Sequence, residues 1–247
     1  MANDLLLFIA VGFAAQLVDG AIGMAYGITA TTALLSMGAA PATASAAIHA
    51  AEVFTTAASG IAHWRLGNID RRLAVRLAVP GVAGAVVGAY VLATVPGERI
   101  RPVVSVYLLA IGGLILWRAF RNREPDPSGA RQPKLLGFFG GLLDAIGGGG
   151  WGAVVTSTLI GRGVTPRFAI GSANAAEFFV TSAATVVFVV TIGLSLWPII
   201  LGLVLGGLLA APLAAIAAKQ IPPRPMMLLV GSIVILLSLR NLVLSLH

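Results

Sequence analysis

The sequence predicts an all-α polytopic membrane protein. It consists of two inverted-topology repeats, each a broken, re-entrant-like helix hairpin followed by three membrane-crossing helices. Three observations lead there. The 247 residues are 58% hydrophobic and 10% charged, with mean hydropathy +0.96, which lies outside the range of ordinary soluble domains. Apolar stretches alternate with short charged loops, the pattern of helical membrane proteins. The stretch 12–58 also returns 125 residues later with 17 of its 47 positions identical, among them Asp19/Asp144, Glu52/Glu177, Pro41/Pro166, Gly23/Gly148 and Gly38/Gly163. Apolar composition does not match Asp, Glu, Pro and Gly by accident. A duplicated membrane chain that repeats its carboxylates points to a transporter with a central site.

The first repeat, 1–120, carries apolar segments at 5–35, 42–64, 73–95 and 100–119. A charged linker at 121–134 is expected on the cytoplasmic side. The second repeat, 135–247, follows with segments at 135–160, 167–190, 196–218 and 226–245. Pro41 and Pro166 suit the first turn of a helix, where a missing N–H costs nothing. Pro96, Pro222 and Pro223 are expected in loops. Segment 5–35 exceeds the roughly 20 residues of one crossing and is interrupted by Asp19, Gly20 and Gly23; segment 135–160 is interrupted by Asp144 and by Gly147 to Gly150. Each is either a kinked crossing or two short helices returning to the starting side. Cytoplasmic loops collect Arg and Lys. The returning arrangement puts 13 of the 16 Lys and Arg residues inside, whereas single crossings put at best 10 there. The hairpin is therefore preferred. Three further crossings per repeat then invert the two halves and place both termini outside.

Composition also excludes. With no cysteine, disulfides, iron–sulfur clusters and thiol chemistry are absent. No Walker or dinucleotide-binding arrangement is present. The three histidines, His49, His63 and His247, have no metal-ligand spacing. Neither an enzyme, a cofactor nor a metal site is expected. The net charge of +7 fits loops facing anionic lipid rather than nucleic acid. The N-terminus lacks the basic region of a cleaved signal peptide, so the first segment is expected to persist.

Few ionisable groups fall inside the apolar segments. They are Asp19, His49, Glu52, Asp144 and Glu177, and His49 and Asn174 stand one helical turn before the two glutamates. A charge at mid-membrane costs at least ~2.5 kcal/mol on insertion scales, so such groups face a cavity or a partner. Glu52 and Glu177 are either structural acceptors or proton-coupling groups, with His49 tuning Glu52. Asp19 and Asp144 are either caps of the following half-helix or part of the site. Gly12, Gly137, Gly140 and Gly141 suit close helix packing. Gly147 to Gly150 instead break a helix and expose backbone N–H groups, tolerable only beside protein or a wet cavity. Half-helices starting near Met24 and Trp151 would aim their positive ends at the breaks and form an anion site without Lys or Arg. The expected lining is Gly23, Met24, Tyr26, Thr31, Gly148, Gly149, Gly150, Trp151, Thr156 and Asn174. Tyr26 and Trp151 occupy matching positions, either on the site or filling the core.

The stretch GFFGGLLDAIGGGGWG (137–152), Pro166 and the helix AIGSANAAEFFVTSAATVVF (169–188) resemble the sulfite exporter TauE/SafE family of bacterial anion permeases. QLVDGAIGMAYG (16–27) and ASAAIHAAEVFTTAASG (44–60) look like the first-half counterparts. The resemblance spans the chain. It implies a secondary transporter of the bacterial inner membrane that exports sulfite or organosulfonates such as sulfoacetate. The expected partners are a small anionic substrate and the lipid bilayer, with a homodimer as a candidate assembly. A cation or proton carrier using the buried carboxylates, and an anion channel, are the alternatives. Repeat one has GAIGMAYG where repeat two has four glycines, so the halves are not equivalent.

Overall fold

A computed structural model describes residues 2–22, 24–120, 132–193, 196–220 and 223–245. Among the described residues every regular element is helical. Segment 5–35 divides into α1 (Ala2–Ile22) and α2 (Tyr26–Ser36), and α3 (Pro41–Arg65), α4 (Arg71–Thr94) and α5 (Gly97–Phe120) follow. Segment 135–160 divides into α6 (Pro133–Gly147) and a π-helical stretch, Gly152–Thr156, that runs into α7 (Ser157–Gly161). α8 (Pro166–Ile192), α9 (Trp197–Gln220) and α10 (Pro223–Ser245) complete the chain. The expected linker lies outside the described residues as far as residue 131.

α3 and α8 begin at Pro41 and Pro166, where a proline ring is compatible with the first turn. Pro223, expected in a loop, instead opens α10 for the same reason. Among the described residues, four helices are long and apolar enough to cross a membrane: α4, α5, α8 and residues 224–245 of α10. α9, also expected to cross, contributes only the shorter apolar helix Trp197–Ala210 among the described residues, and α3, expected to cross as well, is 25 residues long but is not among them. Its Ser45, His49, Glu52 and Thr56 lower its apolarity, and all four are buried. The outer surfaces are apolar, with Val75, Val79 and Val86 on α4, Val186 and Val190 on α8, and Leu229 and Leu236 on α10 exposed. Polar groups inside and apolar groups outside is the distribution a lipid environment selects.

The helices pair across the chain. α1 packs on α9 and α4 on α6, while α3 meets α8 and α5 meets α10. Small residues permit these approaches. A Cβ on Gly12 of α1 would lie 2.7 Å from Leu203 Cα of α9, and one on its repeat counterpart Gly137 of α6 would lie 3.1 Å from Leu77 Cα of α4.

Candidate functional site

The site is built from the two breaks. At the end of α6 the Asp144 carbonyl accepts the Gly148 N–H and, at 2.9 Å, the Gly149 N–H. Gly148, Gly149 and Gly150 then run at φ of 69°, 134° and 138°, the left-handed region that L side chains avoid. The Asp144 carboxylate spans the gap, with Oδ1 accepting the Trp151 N–H at 2.8 Å. Asp19 does the same seven residues before Tyr26: its Oδ1 accepts from Ala25 N at 2.8 Å and Tyr26 N at 3.2 Å. Both carboxylates thus satisfy N–H groups that a helix start leaves unpaired.

The breaks also touch one another. The Thr31 hydroxyl on α2 donates to the Gly148 carbonyl. Tyr107 OH on α5 donates to Gly149 O at 3.1 Å, and Ser45 Oγ on α3 donates to Ala145 O at 2.7 Å. Gly27 lets α2 approach, since a Cβ there would lie 2.7 Å from Gly149 Cα and 2.8 Å from Glu52 Oε1.

Beside the breaks lies a cavity of about 140 Å³. Asp19, Met24, Tyr26, Glu52, Gly150, Asn174 and Glu177 are on its wall, together with Gln16, Thr55, Thr56 and Ser59. Its described lining has three carboxylates and no Lys, Arg or His. The other expected residues are elsewhere. Trp151 is fully buried and donates its indole N–H to Ala173 O at 3.1 Å, so it fills the core. Gly148 and Gly149 lie within the sealed break, and Thr31 and Thr156 are buried off the cavity. Gly23 lies outside the described residues. Asn174 donates to Ser59 Oγ at 2.7 Å, and Tyr26 OH donates to Leu203 O at 3.2 Å.

His49 and Asp144 form a second, solvent-free centre behind the wall. His49 Nε2 lies 3.2 Å from Asp144 Oδ2, with the two side chains 0% and 1% exposed. Nδ1 lies 2.8 Å from the Ser45 carbonyl, and the ring leans on Phe188, its centroid 6.0 Å away. One ring nitrogen of His49 and one carboxylate oxygen each of Glu52 and Asp144 fall within 4.8 Å of one another. Sequence reasoning paired His49 with Glu52, its neighbour on the helix; the contact with Asp144, 95 residues away, had no local signal. Thr55, Thr56 and Ser59 were legible but missed. They follow Glu52 at three, four and seven residues, one face of a helix.

A family model described as sulfite exporter TauE/SafE matches residues 8–241. A Bacillus subtilis (strain 168) protein described as a probable membrane transporter protein, YtnM, is 40% identical over 250 residues, covering 98% of this chain and 83% of that one. No solved structure matches.

Proposed function

Because the chain belongs to the sulfite exporter TauE/SafE family, a family of membrane transporters and not enzymes, we propose that it exports small anions such as sulfite or sulfoacetate-like organosulfonates. In this reading the anion sits at mid-membrane between the two broken helices of an inner-membrane protein, moves together with protons, and both termini face the periplasm. The observation that carries it is the cavity between two helix N-termini with Asp19, Glu52 and Glu177 on its wall and no basic side chain. The dipoles of the two helix N-termini favour an anion even though Asp19 and Asp144 already accept from their leading N–H groups, whereas three ionised wall carboxylates repel it. Both conditions are met only when protons reach the wall with the anion, which favours coupled movement over a passive anion path.

The same acid-rich wall supports a second reading, a cation carrier. Purified protein in proteoliposomes separates the two. Under an imposed pH gradient, movement of sulfite or sulfoacetate, compared with sulfate and lactate, is the expected result. Movement of sodium or potassium with none of these anions would replace the anion reading by the cation one.

A further inference from the structure

His49 and Asp144 fix their own proton count. A serine hydroxyl has one hydrogen to give, and that of Ser45 is committed to the Ala145 carbonyl at 2.7 Å. It has none left for His49 Nδ1, 3.2 Å away. Nδ1 faces the Ser45 carbonyl at 2.8 Å; a carbonyl only accepts, so Nδ1 carries the hydrogen. Nε2 then faces Asp144 Oδ2 at 3.2 Å. Two lone pairs repel at that distance, so one proton lies between them, borne by either partner. The pair is neutral while it holds that proton.

Two further features give the proton a route and an effect. Glu52 is the member of this cluster that also lines the cavity. Its Oε2 is buried with no hydrogen-bond partner among the described residues, so it is free to take a proton. Asp144 meanwhile caps the second half-helix through its other oxygen. The remaining groups acting electrostatically on this centre are Asp19 from α1, Tyr26 from α2, Tyr107 from α5 and Glu177 from α8. Of these, Tyr26 and Tyr107 spend their hydroxyl hydrogens on Leu203 O and Gly149 O, Asp19 accepts from two backbone N–H groups, and Glu177 is the other wall carboxylate able to carry a proton.

We propose that His49 and Asp144 hold one exchangeable proton in common, that Glu52 delivers it from the cavity, and that transport releases it, leaving the pair with one negative charge at the start of the second broken helix. Only the last clause rests on the transport reading above. The repeat counterpart of His49 is Asn174, which has no titratable nitrogen, so there is one such store per chain.

The chain has three histidines, so 15N-histidine magnetic resonance on the full-length protein in lipid is tractable. His63→Gln and His247→Gln variants assign the His49 signals without touching the pair. The expected result is an Nε2 that bears or shares a proton near neutral pH, and whose exchange with solvent slows at least tenfold in Glu52→Gln. A bare, unbonded Nε2 at that pH would overturn the proposal. So would an equimolar metal ion found by elemental analysis in the wild type and lost in His49→Gln. In proteoliposomes His49→Gln should carry its anion with one proton fewer, and an unchanged proton ratio would remove the store from the cycle. If none of the tested anions moves, the transport reading falls, while the resonance experiment still decides the proton pair.

Discussion

Glu52 stands on the cavity wall with one buried oxygen, Oε2, that no donor reaches among the described residues. A lone charge so placed is costly, and Gly27 makes the placement sterically possible, because a Cβ there would strike Glu52 Oε1. Glutamine keeps the volume of the side chain and removes its charge. Anion transport by the wild type should therefore weaken as pH rises, since each acid that ionises on the wall repels the cargo. Glu52→Gln or Glu177→Gln should flatten that profile while the protein stays folded, as read from transport rates in proteoliposomes across the pH range. Unchanged profiles in both variants would make these glutamates scaffolding. The two need not respond alike, because His49 precedes Glu52 by one turn and Asn174 precedes Glu177.

Gly149 binds two elements together, the end of α6 and the start of α2. Its φ of 134° disfavours any side chain, and a Cβ would lie 2.5 Å from the Gly27 Cα. Gly149→Ala should lower stability in detergent by about 2 kcal/mol, from strain at a left-handed position. Gly113, within α5, has nothing within 4 Å of a built Cβ. Gly113→Ala should raise stability by about 0.5 kcal/mol, because alanine is the better helix former. Thermal unfolding of both variants checks the contrast. Such local rules explain what was legible in the sequence. The proline starts of α3 and α8, the glycine break and the recurring Asp shortly before each half-helix all act through neighbours in the chain. The π-helical stretch was not legible, because Arg118 of α5 reaches in to bond the Ala153 carbonyl at 2.7 Å. Nor were the contacts of Tyr107 and Ser45 with the break, which arise from packing between distant elements.

At the scale of the molecule, each broken helix lies against a long helix of the other half: α1 on α9, and α6 on α4. Inverted topology predicts that single cysteines at Ala40 and Thr165, both exposed residues just before α3 and α8, react with impermeant reagents from opposite sides. The cysteine-free background makes the labelling clean. Reaction from one side would make the duplication parallel. The crossed packing also constrains descent. An ancestor of half this length would have had no internal partner for its broken helix, so two copies would have had to interlock. In such a pair of identical subunits, a histidine facing one aspartate would recur opposite the other. Two unlike halves within one chain are free of that restriction. α3 now presents a base, His49 against Asp144, where its counterpart in the other half presents Asn174 bonded to Ser59, a difference that no assembly of identical subunits can show.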